Sequence, residues 1–106
     1  MKIKEKKDRV DEKNDVISDE LLNKYFEITG EALVKAKKAI REESQEKQAE
    51  ICIDMAERYF SDAHHFREHG EYTLAFGALN YAHGWLDCGA RLGFYKVNDS
   101  RLFTVD

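Results

Sequence analysis

Residues 62–69 read Asp-Ala-His-His-Phe-Arg-Glu-His. On a helix Asp62, His65 and His69 fall on one strip, since positions three, four and seven apart share a face. Two imidazoles four residues apart can both reach one zinc or nickel ion. His65 to His69 also matches the H-x-x-E-H pattern of a metalloprotease class, but those enzymes are far larger and need a further acidic ligand. Gly70 follows directly. Imidazoles at a helix C-terminus suit the negative end of the dipole, which accounts for His64, His65 and His69 without a metal.

A second strip is Asn80, His83, Asp87 and Arg91. His83–Asp87 and Asp87–Arg91 are four apart, so their side chains are neighbours. A carboxylate beside a histidine can orient and charge it, as general-base catalysis requires. The same groups also suffice as a polar network on an otherwise buried helix. Arg58 and His64 have the R-x4–6-H spacing of helical ribonucleases of the HEPN class. In a regular helix, however, they point about 120° apart and do not converge. Cys52 and Cys88 form no CxxC pair and sit in apolar context, which predicts two buried free thiols.

Three helices must position these groups. The first starts at Ser18, a good N-cap, with Asp19 and Glu20 facing the positive end of the dipole. Leu21, Leu22, Tyr25, Ile28, Thr29, Ala32, Leu33, Ala36, Ala39 and Ile40 then follow the 3.6-residue period. The polar run at 41–46 predicts its end. The second spans about 45–69, with Ala49, Cys52, Met55, Ala56, Tyr59, Phe60, Ala63 and Phe66 on its apolar face. Gly70 stops it from the position where a left-handed conformation costs a glycine nothing.

The third helix spans about 71–92 and is stopped by Gly93. Tyr72, Phe76, Leu79, Leu86 and Ala90 share one face, Ala75, Ala78, Ala82 and Gly89 the next, and Leu74, Tyr81, Trp85 and Leu92 a third. A helix apolar nearly all round is expected to be buried nearly all round. Either the tail at 94–106, with Phe94, Tyr95, Leu102 and Phe103, covers it, or another subunit does. Gly77, Gly84 and Gly89 would weaken the helix, so the expectation is that they admit a closely packed neighbour.

The pieces Asp62-Ala63 and Gly70-Glu71-Tyr72, and above all the run from Ala75 through Asn80, His83 and Asp87 to Gly93, resemble an archaeal uncharacterised family, domain of unknown function 357. The resemblance covers roughly residues 20–95. It implies a small three-helix up-and-down bundle, and it implies no activity.

Length and composition agree with that fold. At 106 residues the chain is one domain, too short for a Rossmann enzyme, a TIM barrel or a kinase. Charged residues reach 36% and apolar ones 42%, proline is absent and glycines number six. That excludes a disordered chain and disfavours turn-rich sandwiches and barrels. The expected fold is all-α: a charged leader at 1–17, a three-helix bundle at 18–93 and a short packed tail at 94–106. In the leader Ile3, Val10 and Ile17 recur every seven residues, too thin a stripe to hold a helix down.

Net charge is −4, which disfavours nucleic acid as a partner. No stretch approaches 18 apolar residues, and Met1 leads into a charged run rather than a signal sequence. The expectation is a cytoplasmic protein with no membrane contact and no cofactor. The leading reading is a non-enzymatic interaction module. Its third helix, with Tyr81 and Trp85 as anchors and Asn80 beside them, would pack on a second copy or a partner helix. The alternative is a small enzyme or ligand-binding domain on His83, Asp87 and Arg91, or a metal site at Asp62, His65 and His69.

Overall fold

The computed structural model describes residues 14–105, so the leader expectation falls largely on residues outside them. Ser18 starts the first helix as its type predicts: its hydroxyl accepts the Leu21 backbone N–H at 3.0 Å. Three α-helices follow: α1 (Asp19–Lys38), α2 (Glu46–Glu68) and α3 (Tyr72–Arg91), with a 3-10 turn at Glu43–Gln45 before α2. No strand occurs among the described residues, and no helix among them is long and apolar enough to cross a membrane. The fold is an all-α bundle.

Two glycines punctuate it. Gly70 has φ +74° and Gly93 φ +80°. At the first, Glu71 N–H reaches the Phe66 carbonyl at 2.8 Å and Gly70 N–H reaches Arg67 at 3.0 Å. At the second, Phe94 N–H reaches Gly89 at 2.9 Å and Gly93 N–H reaches Ala90 at 3.1 Å. Both are the paired C-terminal closure that needs a left-handed residue just past the helix. The first turns α2 back along α3, where Tyr59 meets Tyr81 edge-on at 4.5 Å between ring centres. α1 runs alongside α3 in the same direction, with Tyr25 against Phe76 and Thr29 against His83.

The first helix ends at Lys38, not within 41–46 as expected. Ala39 turns extended, and the Arg41 guanidinium donates to the Ala36 carbonyl at 3.4 Å while pairing with Glu46 at 3.0 Å. Arg41 thus caps the helix from beyond its end. Ile40, assigned to the apolar face, is 77% exposed because it lies past this turn. Phe26, absent from the expected face, is buried.

The interior is built from small side chains. Ala32, Ala36, Ala49, Ala56, Ala63, Ala75 and Ala82 are all fully buried, which lets the helix axes approach closely but leaves few large groups to bury. The tail supplies them. Tyr95, Leu102 and Phe103 are buried and join the core formed by Leu33, Ile53 and Leu86. Fully burying side chains of this size is worth about 1.5–3 kcal/mol each, so the tail is part of the fold.

Candidate functional site

Helix α3 carries most of the groups singled out from the sequence, and its sides have different fates. The side bearing His83, Leu86 and Gly89 lies under the tail. His83 Nε2 is 2.6 Å from the Leu102 carbonyl, and Nδ1 is 3.0 Å from the Thr29 hydroxyl. A carbonyl only accepts, so Nε2–H is the donor, and in the neutral ring Nδ1 accepts from Thr29. One imidazole therefore joins α1, α3 and the tail. Thr29, 1% exposed, gains a partner that it needs when buried.

Asp87, one turn on, accepts from the Thr104 backbone N–H at 2.9 Å and from its hydroxyl at 3.2 Å. It stands 4.0 Å from His83 Nε2. Tyr95 then passes over Gly89 and donates to the Leu86 carbonyl at 2.7 Å. A Cβ at position 89 would lie 2.6 Å from the Tyr95 ring carbon that bears the hydroxyl. The glycine there is required by the tail, not by a neighbouring helix. Burial pushes the Tyr95 phenol far above its ordinary range, so it stays a protonated donor.

The polar strip does not converge as one site. Asn80 donates to the Phe76 carbonyl of its own helix at 2.9 Å. His83 and Asp87 come together around the tail. Arg91 is exposed, and among the described residues it makes no ion pair with Asp87. A cavity of about 320 Å³ lies beside His83 and Asp87, walled by residues 100–105.

The histidine cluster lies at the C-terminal end of α2. The His65 and His69 rings are 4.4 Å apart, and His69 Nδ1 sits 2.9 Å from the His65 carbonyl. All of Asp62, His65 and His69 are exposed. Among the described residues no group of three or more His, Cys, Asp or Glu side chains is placed to hold a metal. Arg58 pairs with Asp54 at 2.8 Å, while His64 stacks on Phe26 and Phe60 at 4.4 and 4.9 Å. Those two are not brought together either.

The other side of α3 corrects the expectation of all-round burial. Leu74 is 50% exposed, Tyr81 51% and Leu92 61%. Gly77 and Gly84 are exposed, and a Cβ at either would meet nothing within 4 Å. Cys88, expected to be buried, is exposed; only Cys52 is interior, and burial raises its thiol pKa. The polar residues His83 and Asp87 face the tail, so they do not mark the side of this helix that faces out. Tyr81, Gly84, Trp85 and Cys88 line a shallow groove of about 280 Å³. Trp85 lies half in the core, and its buried indole N–H has no acceptor; nothing in the structure explains that donor.

Taken together, fold and site define a small all-α bundle whose last helix is strapped on one side and open on another. Residues 24–95 match the family described as a protein of unknown function, DUF357. The chain belongs to that family. No curated protein and no solved structure is similar enough to match.

Proposed function

We propose that the protein is a non-enzymatic helical interaction module, acting in the cytoplasm, and that the open side of α3 docks another helix. One observation carries this. Leu74, Gly77, Tyr81, Gly84 and Cys88 run over four turns with no charged residue among them, and all are exposed. An uncharged apolar face of that length is a docking surface by its cost in water. Tyr81 is a suitable anchor, since it is large, rigid and tipped with a hydroxyl. The unpaired state of both cysteines agrees with a reducing compartment.

The alternative, catalysis or ligand binding at His83 and Asp87 with Arg91, draws support from the adjoining cavity. Against it stand the internal partners of His83 and Asp87, which hold the tail with the atoms a substrate would need. Native mass spectrometry of the untagged protein, purified without chelator, separates the two. A complex of defined stoichiometry is the expected result. A monomer carrying one metal or small molecule would overturn the module and favour the polar strip.

A further inference from the structure

Resting on that reading, we infer that the helix docked on the open side of α3 is α3 of a second copy of this chain, packed antiparallel. Leu74, Gly77, Tyr81, Gly84, Cys88 and Arg91 are spaced by alternating steps of three and four. That is the repeat of a two-helix seam, in which each side chain fits between residues of the facing helix. Bulk alternates along it. Leu74, Tyr81 and Cys88 project, whereas Gly77 and Gly84 are notches with open space where a Cβ would be.

A two-fold dimer must match this surface to itself. Parallel packing sets Tyr81 on Tyr81 and leaves Gly84 facing Gly84, so bulk collides with bulk and notch meets notch. Antiparallel packing about an axis between Tyr81 and Gly84 sets each Tyr81 on the partner's Gly84. It sets each Cys88 on the partner's Gly77 in the same register. Small residues at such positions let the backbones close in and gain contact.

Charge favours the same arrangement. The chain is acidic, with a net charge of −4, and most of its surface would repel a copy of itself. The α3 seam has no charge between Leu74 and Cys88, and Arg58 and Asp62 beside it on α2 are of opposite sign. Antiparallel packing also carries each Arg91 toward the end of the partner helix that follows Glu71, whereas parallel packing stacks Arg91 on Arg91. Area is sufficient. Twenty residues of helix span about 30 Å, and two adjacent helices about 20 Å. With Met55 and Tyr59 of α2 alongside, the face therefore offers on the order of 600 Å² per copy, near the lower end of specific interfaces.

The test uses the native thiol. In the antiparallel dimer the two Cys88 residues are separated by about eleven residues of helix rise, roughly 16 Å, too far for a disulfide. G77C places a new thiol opposite the partner's Cys88, at a position where nothing in the fold is disturbed. Expected are a dimer mass for the native chain and a 77–88 intermolecular disulfide in G77C under mild oxidation. The native chain should cross-link at least roughly tenfold more slowly, as the geometry of disulfides requires.

Ready Cys88–Cys88 linkage in the native chain, or a native dimer in which G77C gives no 77–88 linkage, overturns the antiparallel pairing. A native chain that stays monomeric at high micromolar concentration overturns the second copy. Y81E separates that failure from failure of the module reading. If the native chain is monomeric and Y81E keeps the native helical spectrum, the face remains open to a different partner helix. If Y81E unfolds, the face belongs to the fold and both readings fall.

Discussion

Both sides of α3 are rich in apolar and small residues, yet one is covered and the other open. Gly89 and Gly84 make the contrast plain. Each interrupts the same helix, but Gly89 lies directly under Tyr95 while Gly84 faces empty space. The covered side has its complement in the same chain, fastened by His83, Asp87 and Tyr95 to the tail. The open side has the same kind of surface and no such complement among the described residues. Small residues in a helix thus record where something must come close, without recording whether that something is part of the chain.

The largest break in this comparison is Phe103→Ala on the covered side. It should destabilise the fold by about 3–5 kcal/mol, read by denaturant unfolding. Leu74→Ala on the open side should change stability by less than about 0.5 kcal/mol. If the two substitutions cost the same, the sides are not different in kind. Next comes the glycine pair. Gly89→Ala forces Tyr95 off the helix, at about 1–3 kcal/mol for an overpacked site. Gly84→Ala, measured at a dilution that keeps the chain monomeric, should instead stabilise by up to about 1 kcal/mol through helix propensity. Thermal melts of the two should shift in opposite directions.

Thr29→Val tests the imidazole joint. It removes the hydroxyl facing His83 Nδ1 and leaves that nitrogen poorly paired, at about 1–2 kcal/mol. Faster hydrogen exchange at the Thr104 amide should accompany it. The smallest effect is that of pH on the outer fastenings of the tail. Glu31 is held below its ordinary value of 4.5, first by the hydrogen bond from Arg101. Asp99 is held below its ordinary value of 3.8, first by the Arg101 backbone N–H. A depressed carboxylate stabilises the fold above its unfolded pKa and loses that stabilisation as pH falls through the folded one. Melting temperature should therefore be insensitive to these two groups near neutral pH and fall only below about pH 4.5. Glu31 is exposed and Asp99 only half-buried, so solvent screens both and the effect should be small and shrink further in high salt.

The fold was legible where local chemistry is decisive. Ser18, Gly70 and Gly93 mark helix ends because an N-cap and a left-handed stop each need particular residue types. The end of α1 was less legible, because Arg41 reaches back to Ala36 from beyond the helix and no residue type announces that. Phe26 escaped notice beside Tyr25, although both pack inward. The candidate strip was legible as a strip but not in its role. Its partners are the Leu102 carbonyl and the Thr104 amide, backbone groups that every residue carries. Cys88 was misplaced for a related reason: the polar residues His83 and Asp87 face the tail, so they give no bearing for the outer side of the helix.

The tail also has a kinetic meaning. The α2–α3 hairpin closes through neighbours in sequence, starting from the turn at Gly70. The tail's fastenings to α3 close short loops, of 9, 17 and 19 residues at Tyr95–Leu86, Thr104–Asp87 and Leu102–His83, whereas its ties to α1 close long ones: 64 residues separate Lys35 from Asp99 and 70 separate Glu31 from Arg101. Contacts that close long loops must recover a larger entropy loss before they stabilise anything. The hairpin and the tail's contacts with α3 are thus suited to form first, and the joints to α1 are suited to lock last. The same order in reverse makes the exposed ties of Asp99 and Arg101 to α1 the first to open, while Tyr95, Leu102 and Phe103 stay in the core.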